Sequence, residues 1–327
     1  MYSQDLLLNK VNEALNKIAY PAQPENLYAP IRYELSLGGK RIRPVLMLMA
    51  YNLFRDDVDS ILSNAIALET YHNFTLLHDD VMDRAEMRRG KPCVHKVWGD
   101  NAAILSGDAM LILAYRLMTE YNQKEPEVVS KALKTFTEAT LGVCDGQQYD
   151  IEYETRNDVT EAEYMEMIRL KTSLLLACAL KIGAQLADAS DSDADLLYQF
   201  GEKMGLAFQL QDDLLDVYGD PAVFGKKIGG DILCNKKTYM LINALQMANE
   251  QQRVELNQWI ERKEFDANEK IQAVRAIYDA VGIRQVCEAK IEELFAESLR
   301  ALDLVDVESE KKQGLRDFAH QLMHRKY

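Results

Sequence analysis

Apolar positions recur three and four residues apart along almost the whole chain, which is the pattern of amphipathic α-helices. Gly and Pro, which interrupt helices, number only 16 and 7 among 327 residues. The pattern predicts a short N-terminal helix, a segment with three prolines, and a helix from Pro44. Longer helices are predicted over 62–88, 101–121 and 127–153, then one that begins at the capping box Thr160-x-x-Glu163. Further helices extend to the C-terminus, with a break at Gly282. We therefore expect an all-α protein.

The amino-acid composition argues against several classes of binding partner and of site. A formal net charge of −14 argues against nucleic acid or an anionic membrane surface. Five cysteines are scattered singly, so neither a zinc site nor disulfides are expected, and the cytoplasm is the simplest compartment. The longest apolar run, over 174–186, contains Lys181 and Gln185 and is shorter than the about 20 residues of a membrane span. With no signal peptide and no linker in evidence, we expect a single domain over residues 1–327 without a membrane span.

Residues 76–83, LLHDDVMD, carry the most informative motif. A helix places Asp79 and Asp83 one turn apart on one face, with Asp80 beside them. Two carboxylates about 6 Å apart repel by roughly 3 kcal/mol at an effective dielectric constant near 20. A cation has to offset that repulsion, and carboxylates without His or Cys favour Mg²⁺. On its own, the motif is equally compatible with a solvated acidic helix face.

A second copy of the motif strengthens the functional interpretation. Residues 209–216, QLQDDLLD, repeat the spacing with Asp212, Asp213 and Asp216, again in an apolar helical context. Two such clusters facing one cavity would hold several Mg²⁺ ions against a diphosphate.

With their flanking residues, the motifs read DDxxDxxxxRRG over 79–90 and FQxxDDxxD over 208–216. They resemble the motifs of the trans-prenyl diphosphate synthases, the head-to-tail elongators of isoprenoid chains, and the resemblance extends from about Gly38 to Thr238. It implies a helical bundle around a deep central cavity and a homodimer. Its substrates would be isopentenyl diphosphate and an allylic diphosphate, namely the dimethylallyl, geranyl or farnesyl compound. It also implies up to about three Mg²⁺ ions, or Mn²⁺ in their place.

The resemblance gives the acidic residues their roles. Asp79, Asp83 and Asp212 would be the metal ligands, and Asp80, Asp213 and Asp216 would support the electric field of the site.

Basic residues on both sides of the first motif form a candidate anion site. Residues 37–44, LGGKRIRP, read as a glycine turn before a helix, and that helix N-terminus with Lys40 and Arg43 suits an anion. By resemblance, Lys40, Arg43 and His72 bind isopentenyl diphosphate. Arg88 and Arg89 are expected to end the helix that carries the motif. By resemblance, Arg88 serves the allylic diphosphate and Arg89 the isopentenyl one.

The second half of the chain supplies further candidates. Lys171-Thr172 lies in an apolar helix, where a lysine needs a partner, and the resemblance assigns this pair, together with Gln209, to substrate binding. A glycine-rich loop with Lys226, followed by Lys236, has the composition of a lid that closes over diphosphate and excludes water.

Side chains before Asp79 are expected to set the length of the product. In the family, bulky residues four and five positions before the first Asp shorten it. Here these positions hold Thr75, which is small, and Phe74, which is bulky. We therefore expect twenty-carbon geranylgeranyl diphosphate, with fifteen-carbon farnesyl diphosphate as the near alternative. Tyr71, one turn earlier, is an alternative floor of the cavity.

Two other functions fit the same fold. A terpene cyclase usually has a degenerate second motif and lacks the Gly-Gly-Lys-x-x-Arg segment, and both are intact here. A non-catalytic regulatory subunit of a synthase would be expected to lose aspartates from one motif, and this chain has lost none. The sequence therefore favours a catalytic prenyltransferase.

Overall fold

A computed structural model describes residues 1–120, 126–219 and 228–323 and is almost entirely helical. The helices are α1 (Gln4–Asn16), α2 (Glu25–Ser36), α3 (Ile42–Asn52), α4 (Leu62–Met82), α5 (Val94–Trp98), α6 (Asp100–Thr119), α7 (Pro126–Thr155), α8 (Glu161–Ile168), α9 (Leu174–Leu186), α10 (Asp191–Tyr218), α11 (Gly230–Leu233), α12 (Tyr239–Met247), α13 (Glu250–Glu261), α14 (Ala267–Val281), α15 (Ile283–Leu304) and α16 (Ser309–Met323). A 3₁₀ helix (Val58–Ile61) precedes α4, and a π-helical turn (Arg169–Ser173) separates α8 from α9. In the part of the chain that is described, the only strands are β1 (Met87–Arg88) and β2 (Lys91–Pro92), which pair as an antiparallel hairpin. The all-α prediction is confirmed.

The chain divides into two compact units, and the first comprises Met1–Phe136, Ala179–Asp195 and Asp306–Leu315. Its central helix is α3, where residues 45–51 are apolar and buried on every side. Helix α4 packs against α3 and α6, while α2 and α5 also pack against α6. This packing holds the end of α4, where the first acidic motif lies.

The second unit comprises Thr137–Cys178, Leu196–Val305 and Arg316–Tyr327. Its core joins buried side chains of several helices, among them Tyr164 from α8, Leu210 from α10 and Met240 from α12. The predicted break at Gly282 is confirmed: this residue, at φ 75°, lies between α14 and α15. The single domain over residues 1–327 stays a prediction.

The predicted end of the helix over 62–88 is wrong. Helix α4 ends at Met82, and Arg84 then adopts the left-handed conformation, with φ 51°. The Ala85 N–H donates to the Asp80 carbonyl at 3.0 Å, and the Arg84 N–H donates to the Val81 carbonyl at 3.3 Å. These two bonds form a Schellman motif with arginine where glycine is usual, so the sequence contains no visible stop signal.

Two prolines also occupy unexpected positions. Helix α3 begins two residues before Pro44, which is tolerated because the first turn of a helix needs no backbone donor there. Helix α2 continues through Pro30, whose ring is buried in the core of the first unit. Tertiary packing outweighs the helix-breaking tendency of proline at this position.

Helix α6 (Asp100–Thr119) is long and apolar enough to cross a membrane, judged by length and composition alone. Core helices of soluble proteins meet the same criteria, and α6 packs along α4. The absence of a membrane span therefore stays a prediction.

Candidate functional site

In the first unit, the acidic motif occupies the last turn of α4. The Asp83 N–H donates to the Asp79 carbonyl at 2.8 Å, so these residues are one helical turn apart, as the spacing predicts. Asp80 is 2% exposed. Its carboxylate accepts two hydrogen bonds from Arg88, at 2.5 Å from Nη2 and 3.1 Å from Nε. This bidentate pair holds Arg88 of the hairpin against the motif.

Glu34 of α2 is close enough to Asp80 and Arg88 for their charges to affect its ionisation, and it was not predicted from the sequence. The residue is fully buried, and neither carboxyl oxygen has a hydrogen-bond partner among the described residues. Burial raises its pKa to about 7, and the negative charge of Asp80 adds to the rise, while Arg88 and Arg89 oppose it. Glu34 lies on the buried face of α2, at helical spacing from Pro30 and Ile31, and an acidic residue at such a position is the signal that could have revealed it.

The glycine turn before α3 contacts Arg89. The Arg89 Nη1 donates to the Gly38 carbonyl. Gly39 has φ 133°, and a Cβ atom there would lie 2.8 Å from Arg89 Nη2. Glycine is therefore required both for the backbone conformation and for the approach of the guanidinium. The turn and Arg89, which were predicted separately, lie together.

Arg43 and His72, both predicted to bind isopentenyl diphosphate, are hydrogen-bonded to each other. Arg43 Nη1 lies 3.1 Å from His72 Nε2. Because a guanidinium can only donate, Nε2 accepts and Nδ1 carries the proton of the neutral imidazole. Burial and then the nearby arginines, Arg43 and Arg89 first, hold the pKa of His72 well below its usual value. The imidazole is thus neutral within a positive environment, which attracts an anion. Lys40 is exposed in the adjoining turn.

Aromatic rings line the side of α4 that precedes the motif. The ring centroid of Phe74 lies 5.4 Å from that of Tyr71 and 4.8 Å from that of His78. Tyr71 is buried and contacts Phe136 at 5.6 Å. Thr75 donates its hydroxyl to the His72 carbonyl at 2.8 Å. The three residues predicted to set product length therefore lie within one packed part of the first unit.

In the second unit, Asp213 is the buried aspartate of the second motif, with 3% of its surface exposed. One oxygen accepts a hydrogen bond from the buried hydroxyl of Tyr164, and the other accepts from Gln209 Nε2 at 3.0 Å. Burial raises the pKa of Asp213, and the negative charge of Asp212 adds to the rise. Tyr164 was not predicted, because a tyrosine in an amphipathic helix looks like a core residue.

The π-helical turn positions Lys171 and Thr172. Lys171 Nζ lies 2.6 Å from the carboxylate of Asp150, and Thr172 donates to Gln209 Oε1 at 3.0 Å. A Cβ atom on Gly146 would lie 2.5 Å from the Lys171 amide nitrogen. Such close packing around an extra residue in the helix is typical of π turns at functional sites.

A second acidic group of this unit surrounds Lys236. The Asp231 amide donates to Asp216 at 2.9 Å, and Lys236 Nζ lies 4.0 Å from Asp231. Burial raises the pKa of Asp231, and the charges of Asp213 and Asp216 raise it further. The same carboxylates raise the pKa of Lys236 against the effect of burial. Asp231 was missed because it stands outside the motif. Lys226 lies outside the described residues.

In each unit, the carboxylates of the acidic motif are of the type that Mg²⁺ prefers, but they do not form a complete metal site by themselves. Within the described ranges, no group of three His, Cys, Asp or Glu side chains is arranged to hold a metal ion. Mg²⁺ usually binds through one or two carboxylates, and substrate phosphates and water complete its coordination. Burial, and then the charges of neighbouring carboxylates, raise the pKa values of Asp213 and Asp231, and a bound cation would stabilise the charged form of both groups. The residues therefore fit a metal that arrives with a diphosphate.

Comparison with known proteins gives a consistent result. The sequence model of the polyprenyl synthetase family matches residues 24–278. The chain is 41% identical to a geranylgeranyl diphosphate synthase of Methanosarcina mazei over 236 residues, 72% of each chain. It is 35% identical to a geranylfarnesyl diphosphate synthase of Natronomonas pharaonis, covering 97% of this chain and 95% of the other. A crystal structure of a geranylgeranyl pyrophosphate synthase, 41% identical, superposes with a TM-score of 0.94 over 100% of both chains.

Proposed function

The chain belongs to the polyprenyl synthetase family and is a prenyltransferase of isoprenoid synthesis, and from this we propose that it is a short-chain prenyl diphosphate synthase whose main product is geranylgeranyl diphosphate. The observation that supports this proposal best is the cluster of Arg43, His72 and Arg89 beside the acidic end of α4. Two guanidinium groups, one partly buried and one exposed, beside a neutral imidazole are suited to a diphosphate.

Each predicted substrate-binding residue is assigned to one of the two substrates. Lys40, Arg43, His72 and Arg89 bind isopentenyl diphosphate, and Arg88, Lys171, Thr172, Gln209, Lys226 and Lys236 bind the allylic diphosphate. The C–O bond of the allylic substrate breaks, and its electrons leave with the diphosphate. The isopentenyl double bond then forms the new C–C bond. Loss of a proton restores a double bond, and we assign the departed diphosphate as the base that takes this proton.

Asp79, Asp83 and Asp212 would hold Mg²⁺, or Mn²⁺ in its place. The bound metal would supply positive charge that stabilises the leaving diphosphate. Asp80 orients Arg88 through the bidentate pair. Asp213 and Asp216 add negative charge around these ligands.

The catalytic proposal is tested by incubating the protein with isopentenyl diphosphate and each allylic diphosphate in turn. We expect Mg²⁺-dependent formation of longer prenyl diphosphates. Asp79→Ala and Asp212→Ala should lower turnover by roughly two to three orders of magnitude, as expected for the loss of one group that stabilises developing charge, with unchanged helical circular dichroism. Full activity in excess EDTA would contradict the metal assignment.

Product length rests on the packing around Phe74. Its ring is held by Tyr71 on one side and His78 on the other, so it makes a fixed obstacle five residues before Asp79. Thr75 is small and leaves room beside it. The similar proteins include both geranylgeranyl and geranylfarnesyl synthases, so overall identity does not decide the length. Farnesyl diphosphate remains the shorter alternative.

Replacing Phe74 by Ala tests this assignment. The removed ring should let the chain grow by at least one unit beyond twenty carbons, read by chromatography of the dephosphorylated products. Phe74→Tyr keeps the ring and serves as the matched control, for which no lengthening is expected. An unchanged product from Phe74→Ala would place the floor at Tyr71 or elsewhere.

The homodimer and the compartment are part of the proposal. Helix α6 exposes Ile104, Leu105 and Ile112 at 44%, 60% and 69%, an apolar surface suited to a second copy of the chain. Light scattering should give twice the mass of one chain. A monomer that cosediments with lipid vesicles would instead favour a membrane surface. All five cysteines are free thiols, which supports a reducing cytoplasm.

A further inference from the structure

The imidazole of His78 is packed between helix α6 and the ring of Phe74. Its Nε2 lies 3.0 Å from the Ile104 carbonyl, which can only accept, so Nε2 is the protonated nitrogen. On its other side, the ring meets Phe74 edge to face, with centroids 4.8 Å apart and an interplanar angle of 66°. His78 thus links the backbone of α6 to Phe74.

Gly107 of α6 makes this packing possible. A Cβ atom at Gly107 would lie 2.2 Å from His78 Nε2 and 2.4 Å from its Cδ2. Neither distance is compatible with the present position of the ring. Glycine within a helix costs roughly 1 kcal/mol relative to alanine, and the space it leaves is filled by the imidazole.

Phe74 is therefore fixed on two sides by rings of its own helix. Tyr71 lies three residues before it and His78 four residues after it, both on the same face of α4. Tyr71 is 1% exposed and cannot move without disturbing the core. His78 covers the other side of the Phe74 ring, and a single substitution of His78 can therefore free that side.

We propose that Gly107 and His78 are specificity-determining residues, because together they set the position of the Phe74 ring and hence the product length. His78 is a positioning residue in this scheme, and α6 takes part in length control through its backbone. The inference rests on the proposed function, in which Phe74 limits the growing chain.

Product analysis of four variants tests the inference. His78→Ala should let the Phe74 ring turn away and raise the ratio of longer to twenty-carbon products about tenfold, the ratio that a barrier difference of about 1.4 kcal/mol produces. Gly107→Ala should press the imidazole toward Phe74 and enrich shorter products. In a Phe74→Ala background, His78→Ala should add nothing. Gly314→Ala, whose added methyl meets only the flexible end of Met49 at 3.4 Å, is the matched control and should keep the parent product.

A measurement without turnover separates this inference from the proposed function. The full chain is labelled with 4-fluorophenylalanine at its 9 phenylalanines, and the Phe74 signal is assigned by its loss in Phe74→Leu. The ¹⁹F resonance of Phe74 should shift in His78→Ala and in Gly107→Ala, and stay in place in Gly314→Ala. An unmoved resonance, or an unchanged product from His78→Ala while Phe74→Ala lengthens it, overturns the inference. A shifted resonance in a chain without prenyltransferase activity would support the packing link and refute the proposed function alone.

Discussion

Replacing Glu34 by Gln should make the protein more stable at alkaline pH and change its stability little at acidic pH. Glu34 is fully buried, and neither of its oxygens has a hydrogen-bond partner within the described ranges. The charged form is therefore poorly solvated, and burial raises the pKa of Glu34 from its usual 4.5 to about 7. Glutamine has nearly the same shape but never takes up the negative charge.

The sign and size follow from proton linkage. Between pH 4.5 and 7 the folded protein keeps a proton on Glu34 that the unfolded chain has released, so the free energy of unfolding falls as pH rises through that interval. The fall amounts to about 1.4 kcal/mol for each pH unit, and to about 3 kcal/mol in total. Above the folded pKa it levels off. In Glu34→Gln this contribution is absent.

Urea unfolding at pH 5, 6, 7 and 8, at one protein concentration, measures the effect. The difference in unfolding free energy between Glu34→Gln and the parent should be small near pH 5 and reach roughly 3 kcal/mol in favour of the variant near pH 8. Glu25→Gln on the exposed start of the same helix is the matched control, with no such trend expected. A constant difference across the pH range would show that Glu34 is charged throughout, and would refute the reasoning.

Two further predictions concern other buried polar groups. Tyr164→Phe removes the hydroxyl that donates to Asp213, and this loss should raise the pKa of Asp213 further. The acidic limb of the pH–rate profile should then move up by about one pH unit, which corresponds to one hydrogen bond to a charged group. An unmoved limb would contradict this role of Tyr164. Arg41→Met leaves Glu69, 2% exposed, without its 2.6 Å ion-pair partner and should cost about 3–5 kcal/mol in urea unfolding. The double variant Arg41→Met/Glu69→Leu should recover most of that loss, and equal losses in both variants would count against a buried charge as the cause.

The features that the sequence predicted well are local and periodic. Helical spacing of apolar residues is repeated along the chain, so the all-α class and the break at Gly282 were both accessible. The capping box at Thr160 and Glu163 is present, because both of its hydrogen bonds lie within four residues. Motif spacing likewise placed Asp79 and Asp83 one turn apart. The assignment of these side chains to metal and substrate stays a prediction.

What the sequence did not predict depends on contacts between distant residues. Glu34 and Asp231 belong to no motif, and their raised pKa values arise from burial beside charges of other segments. Tyr164 meets Asp213 across a separation of 49 residues. No local pattern distinguishes such a tyrosine from an ordinary core residue. Tertiary packing, which propensity rules do not contain, decides these cases.

Three arginines show how the first unit uses backbone conformations that sequence rules assign to glycine. Arg41, Arg84 and Arg89 have φ values of 49°, 51° and 52°, a left-handed conformation that costs a non-glycine residue on the order of 1–2 kcal/mol. Each lies where the chain changes direction, before α3, after α4 and in the hairpin turn. For Arg41 and Arg89 the side chain repays this cost through contacts: Arg41 pairs with buried Glu69, and Arg89 donates to the Gly38 carbonyl. Glycine at these two positions would ease the turn but remove the cation. These side-chain contacts are a sufficient reason for the strained backbone at Arg41 and Arg89. At Arg84 the left-handed conformation ends α4 without a glycine, which is why helix-stop rules placed that end too late.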